Sequence, residues 1–65
     1  MLSKEIINAV TEYCDNDEIL IASFIRTTKY YNLATAVRTL FMYSEIGETE
    51  EEWGKRKANV QFHVK

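Results

Sequence analysis

Residues 32–46, NLATAVRTLFMYSEI, form the stretch that decides the fold, and Gly47 follows them. Asn32 is a favourable first residue, because its side-chain oxygen can accept a hydrogen bond from a free amide of the first helical turn. Gly47 can adopt the positive φ that commonly ends a helix. Apolar side chains recur between them at helical spacing, at Leu33, Ala36, Val37, Leu40 and Phe41. The stretch therefore predicts a helix with one core-facing stripe.

The opposite side of this predicted helix is only partly polar. Its polar members are Thr35, Arg38 and Thr39. Its apolar members are Met42, Tyr43 and Ile46. We therefore expect the helix to pack on the core along one face and to present large apolar side chains on the other.

Two further helices are predicted before this stretch. The first covers residues 3–14, with Ser3 as its N-cap and apolar residues at three- and four-residue spacings. The polar run DNDE then breaks the pattern, and its Asp15 or Asn16 can cap a second helix over residues 17–28. The apolar run inside this segment could also form a buried strand, but the capping residues favour a helix.

The chain after Gly47 allows two interpretations, of which the first is a short fourth helix. Thr49 followed three residues later by Glu52 matches a capping box. Glu51 and Lys55 would form an ion pair at the favourable spacing of four residues. These features predict a helix over residues 50–57.

The second interpretation is a β-hairpin. Residues 48–53 and 56–64 would be its arms, with Gly54 and Lys55 at a two-residue turn. Residues 58–65 alternate strictly between apolar and polar side chains, and this two-residue period predicts a half-buried strand in either case. A lone strand exposes its hydrogen-bonding groups. We therefore expect it to pair with the other arm or with a second chain.

These patterns predict one mainly α domain over residues 1–65, of class α+β: a three-helix bundle followed by a C-terminal β-strand or β-hairpin. A chain of 65 residues buries only about 60% of its unfolded surface and is therefore marginally stable as a monomer. Cys14 is the only cysteine and His63 the only histidine, which excludes a disulfide framework and predicts no metal site and no cofactor. We therefore expect a homodimer, because association with a second chain would stabilise a marginally stable monomer.

The first residues and the lengths of the apolar runs allow a prediction of the cellular compartment. The first residues lead directly into an amphipathic pattern rather than a charged start followed by an apolar core, so no signal peptide is predicted. No apolar run approaches the roughly 18 residues that a membrane-spanning helix needs. We therefore predict an intracellular, cytoplasmic protein that does not enter a membrane.

Catalysis is not predicted. Cys14 and His63 fall in different predicted elements, and each already has a structural explanation in its element's pattern. A nucleophilic site requires a nucleophile, a base and a group that orients the base. The acidic run at residues 50–52 is typical of a solvated helix or hairpin start. We therefore expect no enzymatic activity.

One binding hypothesis is a DNA-binding transcriptional regulator. Two helices, a short joint and a hairpin with a basic tip resemble a winged-helix domain in element order and charge placement, over roughly residues 17–64. The resemblance implies that the third helix contacts bases and the wing contacts phosphates. The compact helix-turn-helix pattern of Ala followed by Gly four residues later is absent, because Arg26 follows Ala22. The nucleic-acid-binding residues would be Thr35, Arg38, Thr39, Lys55, Arg56 and Lys57.

The preferred hypothesis is a small regulatory or inhibitory protein that binds another protein and self-associates. The chain has more large apolar groups than a small bundle hides easily, and Tyr, Trp and Met are the types enriched at interfaces. The acidic block at residues 48–52 would steer a basic partner. The partner-binding residues would be Tyr30, Tyr31, Met42, Tyr43, Ile46 and Trp53.

Overall fold

The computed structural model describes residues 2–44 and 49–64. In these residues the chain forms four α-helices: α1 (Lys4–Tyr13), α2 (Glu18–Tyr30), α3 (Leu33–Tyr43) and α4 (Glu50–Val64). α1 packs on α4, α2 packs on α3, and α3 also contacts α4. The fold therefore consists of two packed helix pairs, which meet where α3 contacts α4 and where Tyr13 of α1 packs against Phe41 of α3.

Each helix begins at a side chain that accepts a hydrogen bond from a free backbone amide of its first turn. The distances from the side-chain oxygen to the nearest such nitrogen are 3.2 Å for Ser3, 3.0 Å for Asp17, 2.7 Å for Asn32 and 3.1 Å for Thr49. These bonds satisfy amides that have no partner within the helix. Local sequence thus determines where the helices start.

The turn between α1 and α2 differs from the predicted one. Asp15 and Asn16 do not cap α2; both have positive φ angles, 51° and 63°, and end α1 instead. The amide of Asp15 donates to the carbonyl of Glu12 at 3.1 Å, and the amide of Asn16 donates to that of Thr11 at 3.1 Å. Asp and Asn tolerate this left-handed conformation better than most residues, so the cap moves on to Asp17.

The core takes residues from all four helices. Tyr13 of α1 and Val60 of α4 are completely buried. Burial of apolar surface is the main favourable term in folding, so the contact between α1 and α4 at these residues is central to the stability of the bundle. The buried apolar residues are Ala9, Val10, Tyr13, Cys14, Phe24, Ala36, Val37, Leu40 and Val60.

The predicted C-terminal strand is wrong. The segment 50–64 is one helix, and residues 2–44 and 49–64 contain no strand. The helix predicted for residues 50–57 is present but continues to Val64. Val60 is buried while Phe62, which would share its face in a strand, is 74% exposed. The α+β class and the winged-helix resemblance are therefore both incorrect for the described residues.

Packing explains why the helix overrides the alternating pattern. Residues two apart in a helix lie on different faces, so α4 can bury Val60 against the other helices while Phe62 points outward. A helix also satisfies its own backbone hydrogen bonds, whereas a lone strand does not. Ion pairs support its first turns, at 3.7 Å between Lys55 and Glu51 and 2.8 Å between Arg56 and Glu52.

Gly54 provides a direct test of this helix. It lies inside α4, and a Cβ built on it would meet no heavy atom within 4 Å. Alanine is favoured over glycine in a helix interior by roughly 1 kcal/mol. We expect Gly54→Ala to raise the free energy of unfolding by about this amount, as measured by urea titration followed by circular dichroism. A loss of stability would contradict a helical conformation at this position.

Candidate functional site

A buried polar network joins three helices behind the molecular surface. The hydroxyl of Tyr13 donates a hydrogen bond to the carbonyl of Ser44 at 2.8 Å and accepts one from Nε1 of Trp53 at 2.7 Å. The hydroxyl of Ser44 donates to the carbonyl of Leu40. In the described residues no buried side-chain polar atom lacks a partner. The network therefore positions α1, α3 and α4 rather than offering groups to a ligand.

Trp53, a predicted partner-binding residue, is largely used within the molecule. Its side chain is half-buried, and its Nε1 donates to Tyr13. The ammonium group of Lys57 lies 3.9 Å from the centroid of the Trp53 ring, the geometry of a cation–π contact. The same ammonium is 5.8 Å from the ring centroid of Phe41. Trp53 thus has little free surface for a partner.

The basic residues predicted to form a wing also have partners inside the chain. Arg56 donates to the carbonyl of Glu12 at 3.0 Å, at the C-terminal end of α1, and pairs with Glu52 at 2.8 Å. A cation at this end of a helix interacts favourably with the helix dipole. Lys55 pairs with Glu51, and Lys57 covers Trp53. These three residues belong to one helix, α4, so the predicted wing is absent.

The acidic block is placed differently from the predicted steering patch. Glu51 and Glu52 form the two ion pairs with the basic residues of α4. Glu50 is exposed at the start of that helix. Glu48 lies outside the described residues. The described part of the block therefore acts mainly as the favourable acidic first turn of a helix.

The remaining predicted partner-binding residues are exposed on the hairpin formed by α2 and α3. Tyr30 and Tyr31 lie at the turn between the two helices, and Met42 and Tyr43 lie at the far end of α3. Their exposed fractions range from 66% for Met42 to 79% for Tyr43. Ile46 lies outside the described residues. Water therefore contacts four large apolar side chains on this hairpin.

A groove runs between α2 and α3 on the same hairpin. Its apolar lining comes from Leu20, Phe24, Ala36 and Leu40, and its volume is about 260 Å³. The lining also includes Ser23, Thr27, Thr39, Tyr43 and Ser44.

Two exposed apolar residues were not predicted as surface groups. Ile19 is 82% exposed, although it begins the apolar run of the second predicted helix. With α2 capped at Asp17, helical spacing separates Ile19 from the buried Phe24, and this offset was the available signal. Phe62 was expected on the same face as Val60, in a strand that is absent from the described residues. Only the helical period would have separated Phe62 from Val60 and indicated that it is exposed.

We define the α2–α3 surface as this groove together with the exposed residues that border it. Helical spacing places Ile19, Arg26 and Tyr30 on one side of α2, next to the groove-lining Ser23. On α3, Tyr43 lines the groove, and Met42 and Arg38 share the adjoining outward side of the helix. Of the other predicted base-contacting residues, Thr39 lines the groove and Thr35 is half-buried beside it. Tyr31 lies instead beside a second depression, formed with Leu2 and Ile7 of the N-terminal region.

Cys14 and His63, the two residues considered for catalysis, do not line the groove of the α2–α3 surface. Cys14 is buried, and burial, with a smaller contribution from the Asp17 carboxylate, raises the pKa of its thiol to about 11. A thiol with this pKa is a poor nucleophile near neutral pH. His63 lies on α4, where its ring stacks edge-on against Phe62 at 5.2 Å.

Residues 2–44 and 49–64 contain neither a cluster of metal-binding side chains nor a helix that could span a membrane. No group of three or more Cys, His, Asp or Glu side chains is arranged to hold a metal ion there. None of the helices in that part of the chain has the length and apolarity required to cross a membrane.

Comparison of the chain with protein-family models, curated proteins and solved structures found no match. Within the described residues, the α2–α3 surface combines a groove, exposed apolar side chains and basic residues, and it is the candidate functional site.

Proposed function

We propose that this protein is a small, non-enzymatic regulator or inhibitor that acts by binding another protein through its α2–α3 surface. The observation that carries the proposal is the exposure of Ile19, Tyr30, Met42 and Tyr43 around one apolar groove. Exposed apolar patches of this kind mark interaction sites in soluble proteins. Tyr, Met and Arg are also the residue types enriched at protein interfaces.

The internal contacts of α4 support protein binding over the DNA-binding hypothesis. That hypothesis placed Lys55, Arg56 and Lys57 at the tip of a hairpin that contacts phosphates, whereas Arg56 and Lys57 of α4 are held against α1 and Trp53. A surface rich in apolar side chains with a few cations suits a protein partner better than a phosphate backbone. Binding without chemistry is also consistent with the high pKa of Cys14.

A homodimer remains a prediction, but one of the two features that favoured it is absent. The segment expected to be a lone strand that pairs with a second chain is a helix that packs on α1. The small size of the chain still favours association. Sedimentation velocity at about 100 micromolar, a concentration that populates weak dimers, tests it, and a strictly monomeric mass rejects it. The cytoplasm remains the proposed location, on composition alone.

The proposed function is tested by affinity capture with matched surface variants. We expect the wild-type protein to retain a specific partner from a lysate of the cells that produce it. Met42→Glu and Tyr43→Glu should reduce retention at least about tenfold, because each places a desolvated charge in the interface. The partner is then identified by mass spectrometry and its binding to purified protein is measured by calorimetry.

Phe62→Glu is the matched control. It makes the same kind of change at a similarly exposed apolar residue, but on α4. We expect this variant to retain the partner as the wild type does. Circular dichroism must show that all three variants remain folded. Equal retention by the wild type, Met42→Glu and Tyr43→Glu would show that the α2–α3 surface is not the binding site.

A further inference from the structure

We propose that the partner of the α2–α3 surface presents an acidic amphipathic helix, an inference that rests on the proposed protein-binding function. The first observation is a separation of charge along the chain. Residues 19–44 contain Arg26, Lys29 and Arg38 and no acidic residue, although the chain has ten acidic residues and a net charge of −2. Glu18, the first residue of α2, is the one acidic residue of the two helices, so the hairpin of α2 and α3 has a net charge of +2 (three basic residues and one acidic residue) within an acidic protein.

The second observation is that these basic side chains are exposed and form no salt bridge with the residues that the structure describes. Among residues 2–44 and 49–64, the salt bridges are those of Lys55 and Arg56 within α4. Arg26, Lys29 and Arg38 have no carboxylate of the described residues within salt-bridge distance. Their charge is therefore available to a ligand, and complementary charge across an interface increases association rate and specificity.

The third observation is the shape of the site. The part of the groove on α2 extends from Leu20 to Thr27, which is about 10 Å, or two helical turns. A helix docks in such a groove through apolar residues at positions i, i+3 or i+4, and i+7. On α2, Arg26 lies one helical turn from the groove-lining Ser23. On α3, Arg38 lies one turn from Met42, on the outward side of the helix rather than in the groove lining. Acidic residues on both flanks of a docked helix would meet these two side chains.

Charge also distinguishes this occupant from a second copy of the chain. A two-fold dimer presents the same surface from both subunits, so Arg26 and Arg38 of one copy would approach those of the other. Like charges placed together across an interface are unfavourable. An acidic helix has the opposite charge and meets no such repulsion.

The test uses two synthetic helical peptides of about 16 residues, roughly 24 Å long, labelled with a fluorophore. One has leucines at i, i+3 and i+7 and glutamates on both flanks; the other replaces each glutamate with lysine. We expect the acidic peptide to bind in fluorescence anisotropy titrations, with an affinity that falls as salt is raised. We expect the lysine peptide to bind at least about tenfold more weakly.

Charge reversal in the protein makes the assignment specific. The double variant Arg26→Glu with Arg38→Glu should bind the acidic peptide at least about tenfold more weakly and should gain affinity for the lysine peptide. The control Lys4→Glu with Lys55→Glu changes the net charge equally, at exposed residues of α1 and α4. It should bind the acidic peptide as the wild type does, and circular dichroism verifies that both proteins are folded.

Each other result overturns the proposal. Equal affinity for the two peptides, or binding of neither, would exclude an acidic helix. A single-stranded oligonucleotide that binds more tightly than the acidic peptide would identify the basic surface as a nucleic-acid site. Association of the labelled protein with unlabelled protein through Arg26 and Arg38 would identify a second copy as the occupant. If the acidic peptide does not bind but the wild type captures a partner that Tyr43→Glu does not, the acidic helix is rejected and the proposed protein-binding function is retained.

Discussion

Replacing Val60 by aspartate is expected to unfold the protein, whereas the same change two residues later at Phe62 should leave the fold intact. Val60 is completely buried and Phe62 is 74% exposed. Val60→Asp loses about 1.5–3 kcal/mol of apolar burial and adds a buried carboxylate that costs several kcal/mol more. A domain of this size has a total stability of about 3–10 kcal/mol, so the loss is comparable to the whole.

The paired variant at Phe62 makes the comparison decisive. Phe62→Asp should cost at most about 1 kcal/mol, from an unfavourable charge near the C-terminal end of α4. Far-UV circular dichroism and urea titration of the two purified variants check these expectations. In a strand the two side chains would share one face, so similar losses of stability at Val60 and Phe62 would contradict the helix.

Replacing Tyr13 by alanine is the second change with a large expected effect. The Tyr13 ring is completely buried and lies 5.3 Å from the ring of Phe41. Truncation of a buried aromatic residue costs about 3–5 kcal/mol. It would also leave the carbonyl of Ser44 and Nε1 of Trp53 without their hydrogen bonds to the Tyr13 hydroxyl. We therefore expect Tyr13→Ala to be largely unfolded.

Tyr13→Phe separates the contribution of the hydroxyl from that of the ring. It keeps the ring and leaves two polar groups unsatisfied, which should cost about 1–3 kcal/mol. Urea titrations followed by the fluorescence of Trp53, the only tryptophan, measure the loss and also report on the indole environment. Tyr30→Ala is the control, since Tyr30 is exposed and should cost less than about 0.5 kcal/mol. Equal stability of Tyr13→Phe and the wild type would show that the network does not stabilise the bundle.

The helices whose local signals agreed with the tertiary structure were predictable from the sequence. Ser3, Asn32 and Thr49 cap helices as expected, because a capping bond involves only residues within one turn of each other. The core stripe of α3 was also predicted: Ala36, Val37 and Leu40 are buried. Amphipathic spacing specifies which face of a helix is buried when one face is clearly apolar.

The binding surface was only partly predictable. Tyr30, Met42 and Tyr43 were singled out by residue type, and the structure places them in water on one hairpin. Whether they bind a partner stays a prediction. Trp53 was chosen for the same reason, but its ring is half-buried and its Nε1 bonds to Tyr13. Residue type alone does not reveal a hydrogen-bond partner forty residues away in the sequence.

The sequence by itself determined where α1, α3 and α4 start, the helical character of α1, α2 and α3, and the absence of acidic residues between residues 19 and 44. Only the tertiary structure decided the form of the tail and which aromatic side chains remain in water. Alternation from Ala58 to Val64 fits a strand, but Val60 is buried in the same core cluster as Tyr13 while Phe62 is exposed, as the faces of a helix allow. That choice depends on packing between segments more than forty residues apart in the chain, and local periodicity contains no information about such contacts.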